Sequence, residues 1–156
     1  MPVTIPPMAH GRLVGIFLKR MHGGTMDPCQ EATMDDRGLV GNANRGGFRA
    51  ITIMSSERWD EVTKEVGAVL DRQARRANLV LSGIDLENTR GRTLAIGGCR
   101  LRIGGETRPC ELMEEAAAGL QDAMKSHWGG GAYATVVEGG CIKIGDPVTW
   151  EPPTAG

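Results

Sequence analysis

Apolar residues along this chain fall into short runs separated by glycine-rich breaks, and the runs carry two different periods. Leu13–Leu18 is an apolar run that predicts a strand, and Arg49–Met54 predicts a second. Leu79-Val80-Leu81 is a short strand. Thr93–Ile96 and Cys99–Ile103 flank Gly97-Gly98, which is the signature of a hairpin. Ala132–Glu138, Cys141–Ile144 and Pro147–Trp150 read as the closing strands. Two stretches switch to the helical period. Ser55-Ser56-Glu57 supplies hydroxyl caps and an early acid, and Trp59, Val62, Val66, Val69 and Leu70 carry a helix expected to end near Arg72. Leu112, Met113, Ala116, Leu120, Ala123 and Met124 define a second helix, with Pro109 in its first turn and Gly129-Gly130-Gly131 ending it. Residues 19–47 show no period and read as one long polar connection, a kind that is usually functional or disordered.

Seven or eight short strands, joined more by hairpins than by β-α-β alternation, predict a β-rich α+β fold. The expected form is a mostly antiparallel β-barrel with two packed helices. The 156 residues fit a single domain, 1–156, with its core at about 11–150, long enough to bury a real interior.

Composition adds one anomaly. Glycine numbers 23, well above the usual share of ~7%, and comes in pairs and triplets with no fixed period. These glycines suit tight turns and bulges between short strands. Charge is balanced, 18 basic against 19 acidic residues, which makes no case for nucleic acid or a membrane surface as partner. No apolar run is long enough to span a bilayer. Pro2, Pro6 and Pro7 stand where a signal peptide would need a basic and then an apolar region, so a cytoplasmic protein is expected.

Four cysteines occur, at 29, 99, 110 and 141, without a C-x-x-C pair, so neither a structural zinc site nor a disulfide framework is expected. Cys110 is the sharpest chemical candidate. A free thiol is only about 3% thiolate at neutral pH, but a helix start and a nearby arginine lower its pKa, and Cys110 follows Arg108-Pro109 where the helical pattern begins. The alternative is a small buried hydrophobe. Cys99 and Cys141 each sit by a Gly-Gly pair in strand patterns and read as packing residues. Cys29 falls in the long connection, as an exposed thiol or a partner for Cys110.

Arg75-Arg76-Ala77-Asn78 reads either as a solvated helix end or as an anion clamp, with arginine for phosphate and the amide for a polar ring edge. Arg45 and Arg49 flank Gly46-Gly47 and can hold an anion or stand in solvent. No P-loop, dinucleotide fingerprint or G-x-S-x-G elbow is present. His10, His22 and His127 are scattered, which argues against a histidine metal site; His22, near Lys19, is the best placed for function. Asp35-Asp36 and Glu114-Glu115 read as surface groups.

In order along the chain, four blocks resemble the MOSC domain, named for the C-terminal domain of molybdenum cofactor sulfurases. They are Gly38-Leu39-Val40-Gly41 leading to Gly46-Gly47-Phe48-Arg49; Arg75 to Ile84; Leu94-Ala95-Ile96-Gly97 followed by Arg108-Pro109-Cys110; and Val137-Glu138-Gly139-Gly140 with Ile144 to Val148. The resemblance implies a β-rich barrel and makes Cys110 the hallmark cysteine. In some members that cysteine ligates molybdenum in a pterin cofactor and the protein reduces N-hydroxylated compounds. In others it is proposed to carry sulfur as a persulfide.

The resemblance implies molybdenum cofactor (molybdopterin) as the bound group, with Lys19, Arg49 and Arg76 facing its phosphate, Asn78 facing the pterin and Cys110 on the metal. His22, Asn42, Asn44, Arg45 and Arg108 are possible additions. Many members carry Gly-Asp-x-His where this chain has Gly41-Asn42-Ala43-Asn44, so an ionisable pair is replaced by amides that can still hydrogen-bond a ligand. No flavin, iron–sulfur or pyridoxal-enzyme domain is attached to these residues, so an electron donor or a cysteine desulfurase is expected as a separate protein. Three readings follow: a molybdenum-dependent reductase of small N-hydroxylated substrates, a persulfide carrier on Cys110, and cofactor-free thiol chemistry.

Overall fold

The computed structural model describes residues 11–22, 24–47, 49–70, 77–109 and 111–152, and of residue 111 the backbone only. Eleven strands and three short helices run through them. The strands are β1 (Gly11–Lys19), β2 (Met26–Cys29), β3 (Glu31–Asp35), β4 (Gly38–Leu39), β5 (Ile51–Ser55), β6 (Leu79–Ser82), β7 (Thr93–Ile96), β8 (Cys99–Glu106), β9 (Ala132–Glu138), β10 (Gly140–Lys143) and β11 (Pro147–Trp150). The helices are α1 (Ser56–Glu65), α2 (Glu111–Ala116) and α3 (Leu120–Ala123).

Seven strands close into a barrel in the order β1-β11-β7-β8-β9-β5-β6 and back to β1. Strand β1 closes the ring by sharing one edge. Its start, Gly11 and Arg12, pairs with β11, while its end, Ile16–Lys19, pairs with β2 outside the ring. Every pairing in the ring is antiparallel except β5 with β6, the two strands that α1 joins, because a parallel pair needs a crossover rather than a hairpin. Strands β10, β3 and β4 form a separate antiparallel sheet. Register shifts between Leu13 and Gly15 on β1, and along β8 against β9, add the local bends that a closed ring requires.

Period-two alternation sorts the apolar residues into two layers. Ile51, Ile53, Leu79 and Leu81 point into the barrel, while Met54 and Val80 on the same strands point outward. The outward layer is covered by the helices. Trp59 and Val62 of α1, Met113 of α2, and Leu120 with Met124 beside it are all buried there. Strands β5 and β6 therefore bury apolar residues on both faces, and each fully buried Leu or Ile contributes about 1.5–3 kcal/mol.

The expected barrel is present, with several departures in its parts. Residues 19–47 are no structureless connection, since they form β2, β3 and β4. Helix α1 starts where expected, with the Ser55 hydroxyl accepting the Arg58 N–H at 3.2 Å, but it ends at Glu65 because Gly67 turns left-handed (φ 71°). Val69, read as part of its apolar face, is fully exposed, and Arg72 lies outside the described residues. The second helix is two. Gly119 (φ 85°) breaks it, and the Glu114 carboxylate accepts the Gly119 and Gln121 N–H groups at 2.8 and 3.3 Å to cap α3. Among the described residues, no helix is long and apolar enough to cross a membrane.

The glycine triplet that follows α3 is required by close packing. A Cβ on Gly130 would strike the Thr107 carbonyl oxygen, one on Gly131 the Ile53 carbonyl oxygen, and one on Gly129 would lie 2.6 Å from the Met124 carbonyl oxygen. The triplet thus lies between α3, β5 and the segment Thr107–Pro109 that leads into Cys110.

Candidate functional site

Asn78 stands immediately before β6, and its side chain is 6% exposed. Its amide uses every hydrogen-bonding position it has. Nδ2 donates to the Phe17 carbonyl (3.1 Å) and to Asn42 Oδ1 (3.2 Å), while Oδ1 accepts from the backbone N–H and the hydroxyl of Thr52 (both 3.2 Å). Asn42, equally buried, accepts the Lys19 backbone N–H at 2.8 Å and donates to the Asn44 carbonyl at 3.1 Å. The Ala43 N–H returns to the Lys19 carbonyl at 2.6 Å. This network clamps the 42–44 loop to the ends of β1, β5 and β6.

A small cavity of about 70 Å³ opens over the network, lined by Lys19, Met26, Asn42, Asn44, Thr52 and Asn78. Asn44 also lines an adjoining groove of about 380 Å³, together with His22, Arg45, Arg49 and the backbone of Gly46-Gly47. Thr52 lies between Ile51 and Ile53, which face the barrel interior, so cavity and groove lie against the barrel's outer wall. Of the residues singled out from the sequence, Lys19, His22, Asn42, Asn44, Arg45, Arg49 and Asn78 converge here.

The groove is cationic and anchored. Arg45 Nη2 meets Asp35 Oδ2 at 2.5 Å, and Asp35 Oδ1 accepts the Arg37 backbone N–H at 2.9 Å. The Arg45 hydrogen bond first, and the Arg37 N–H second, hold the Asp35 carboxyl below its ordinary pKa. Asp35, expected as a surface group, is the anchor of a groove arginine. Arg45 Nη1 is buried and has no partner. The Arg49 guanidinium lies over the Tyr133 ring, 5.5 Å from its centroid.

Arg108 lines a different cavity, of about 330 Å³, with Glu106, Pro109 and Lys125. Cys110 and Arg76 lie outside the described residues, as do His10 and Arg75. Among the other cysteines, Cys99 is sealed in the barrel, and burial pushes its thiol pKa up, with smaller additions from the charges of Cys141, Asp146 and Glu138. Cys141, expected to pack, is exposed, because on β10 it is Ile142 that faces the core. Cys29 is half-buried, its thiol 3.6 Å from the Asp27 carbonyl.

Thr52 and Met26 were not singled out from the sequence, and Asp35 was read there only as a surface group. Thr52 carried a signal, being a polar residue between two isoleucines of a strand and therefore placed on the outer face. Asp35 carried none, since its partner Arg45 is ten residues away across a turn.

The donor set consists of amides, a hydroxyl, cations and backbone. Among the described residues no three His, Cys, Asp or Glu side chains converge as a metal cage. The orphaned Arg45 nitrogen, the arginines that line the groove and its volume, within the roughly 300–1,000 Å³ of ligand sites, fit a polar group bearing a phosphate.

Fold and site together define a closed β-barrel with a cationic, amide-floored groove on its outer wall. The chain belongs to the MOSC domain family, whose model matches residues 19–149, and that family is associated with the molybdenum cofactor. Solved structures of similar fold include the YuaD protein of Bacillus subtilis, at 20% identity over 89% of this chain and 94% of that one, with a TM-score of 0.76. YiiM of Geobacillus stearothermophilus matches at 18% identity over 94% of this chain and 77% of that one, with a TM-score of 0.74. YiiM of Escherichia coli matches at 16% over 93% and 72%, with a TM-score of 0.66. A comparison with curated proteins found no match.

Proposed function

We propose that this protein binds molybdenum cofactor in the groove and reduces small N-hydroxylated compounds, with Cys110 as the protein ligand to the metal. The observation that carries the reading is the convergence of Lys19, Arg45, Arg49, Asn44 and His22 on two adjoining cavities of the outer wall. Lys19, Arg45 and Arg49 hold the phosphate, each charged hydrogen bond contributing about 1.5–3 kcal/mol. The family resemblance adds Arg76 to that set.

Asn42 and Asn78 act one step back. With the Asn78 amide saturated by protein partners, its part is to hold the 42–44 loop and the Lys19 backbone where they face the ligand. Asn44, exposed on that loop, offers its side chain to the polar edge of the pterin. Cys110 supplies a thiolate, a soft ligand suited to a redox-active metal. When bound, the cofactor supplies the two-electron chemistry that cleaves the N–O bond. The electrons come from a separate donor protein.

The test is elemental analysis of protein made in a host able to synthesise molybdopterin. Stoichiometric molybdenum is expected, falling in Cys110→Ser and in Lys19→Ala. Clean protein without molybdenum, whose reductase activity survives loss of cofactor synthesis, overturns the reading. One added sulfur on Cys110 after incubation with a cysteine desulfurase, again without molybdenum, replaces it with the persulfide carrier.

A further inference from the structure

Charge is balanced over the whole chain but segregated along it. Residues 89–109 hold five arginines, no lysine and one acid, Glu106. Residues 56–65, on α1, hold four acids against Arg58 and Lys64, and residues 114–122, around α2 and α3, add three acids and no base. The helices therefore carry negative charge, and the wall formed by β7, β8 and β9 carries positive charge.

Strand alternation sets where these arginines point. Cys99, Leu101 and Ile103 of β8 are sealed in the barrel, so Arg100 and Arg102 between them face outward. Arg102 stands between Thr93 of β7 and Thr135 of β9, two short side chains. Beyond it Gly104 and Gly105 carry no side chain, and the Tyr133 ring is laid on them, since a Cβ on Gly104 would stand 2.6 Å from Tyr133 Cε2. Arg90 reaches the same place, its Nη2 3.2 Å from where a Cβ on Gly105 would be. Arg49, which also lines the groove, lies over the Tyr133 ring, and Arg92 lies over the Trp150 ring, 4.5 Å from its centroid.

Acids offset little of this. Glu151 engages Arg100 through both oxygens, and Glu138 stands opposite Arg100 across the β8–β9 ladder. Among the described residues no carboxylate pairs with Arg90, Arg92 or Arg102, and all three are exposed. We propose that this wall is a docking face for an acidic protein, which Arg90, Arg92 and Arg102 hold in a transient encounter. The proposal rests on the charge and geometry of the wall and not on what the groove holds.

Arginine is the cation used throughout, and its planar fork takes a carboxylate or a phosphate by two bonds. Of the two, the wall fits carboxylates on a protein. Single-stranded nucleic acid needs aromatic rings on which to stack its bases. Both rings here are in use, Tyr133 by Arg49 and the glycine backbone, Trp150 by Arg92. Area argues against a stable dimer of this chain. β8 spans eight residues, and three strands of that length about 4.8 Å apart cover about 400 Å². That is half of the roughly 800 Å² that each partner gives to a stable interface. A contact of this size forms and parts quickly, steered by charge.

The test titrates the protein with a fluorescent peptide of glutamates, and separately with a single-stranded RNA of equal charge, reading anisotropy for affinity and backbone amide shifts for location. The peptide should bind, move the amides of Arg90, Arg102 and Thr135, and dissociate as salt rises from about 0.05 to about 0.3 M. Arg90→Gln and Arg102→Gln should each weaken it by about twofold to fivefold, the range of an exposed ion pair, while Lys64→Gln on α1 should not. Both arginines are exposed and pair with no acid, so these variants should melt as wild type does. RNA bound more tightly than the peptide overturns the proposal in favour of nucleic acid, and self-association abolished by Arg102→Gln overturns it in favour of a second copy. A peptide that does not bind, that binds every variant alike, or that shifts only the groove amides of residues 44–47 also overturns it. Protein that takes up no molybdenum yet binds the peptide as expected removes the cofactor reading and leaves this inference standing.

Discussion

Replacing Asn78 by aspartate changes one heavy atom and turns two hydrogen bonds into two oxygen–oxygen contacts. In the native protein Nδ2 donates to the Phe17 carbonyl at 3.1 Å and to Asn42 Oδ1 at 3.2 Å, in a position 6% exposed. The Phe17 carbonyl would lose this donor, and Asn42 Oδ1 would keep only the Lys19 N–H while facing a carboxylate oxygen. A buried group left without a partner costs about 1–3 kcal/mol, and the two Thr52 donations, which remain, return part of that. The expected loss at neutral pH is about 2–4 kcal/mol, a large share of the roughly 5–15 kcal/mol that holds a domain folded. For a chain of this size it lowers Tm by about 5–15 °C.

The loss should also depend on pH with a definite sign. The new carboxyl is buried and faces acceptors, so its folded pKa is raised above its unfolded value. Its protonated form can donate to Phe17 or Asn42, so the deficit is smallest below the unfolded carboxylate pKa and grows as pH rises through the raised one. Urea unfolding of both proteins at several pH values between 4 and 8, with unchanged slope as the check on two-state behaviour, measures this. A loss under about 1 kcal/mol, or one that does not change with pH, would refute the clamp.

Two further outcomes are expected. Because Arg45 and then the Arg37 N–H hold Asp35 below its ordinary pKa, its contribution to stability is present above the unfolded carboxylate value and lost as pH falls through the lowered one; thermal melts should therefore show Asp35→Asn less stable than wild type at pH 7, with the two converging in acid. Native protein treated with iodoacetamide at pH 8 should label Cys141 quickly and Cys99 only after unfolding, since Cys99 is sealed and its thiol pKa raised; peptide mapping that finds both at one rate would contradict the burial of Cys99.

The barrel was legible because most of its strands carry the period that sheets impose. Gly97-Gly98 marks the β7–β8 hairpin, and the pairs Ile96↔Cys99 and Leu94↔Leu101 follow from it. Strands β2 to β4 were invisible for a physical reason. They are two to five residues long, and β2 reads Met-Asp-Pro-Cys, with only Met26 buried. Their partners supply the missing information from far away, as when Thr33 pairs with Cys141. The end of α1 was misread because Val66 and Val69 keep the helical spacing while Gly67 between them has already turned left-handed. Several site residues were named through the family resemblance rather than through periodicity. Asp35 and Thr52, which hold them in place, were missed because an anchor is defined by what it touches.

The departure at Asn42 also takes on a physical meaning in this network. Its Oδ1 accepts two N–H groups, a role that an aspartate would fill equally well. Its Nδ2 donates to the Asn44 carbonyl, a role that an aspartate cannot fill. An acid at this buried position would set a carboxylate oxygen against that carbonyl and release the loop that carries Asn44 into both cavities. Asn42 and Asn78 are therefore one unit, in which Asn78 donates to Asn42 Oδ1 and Asn42 in turn donates to the Asn44 carbonyl. The groove gains from the exchange, because a neutral floor adds no negative charge beside Lys19, Arg45 and Arg49, and a site lined in this way is suited to hold an anion.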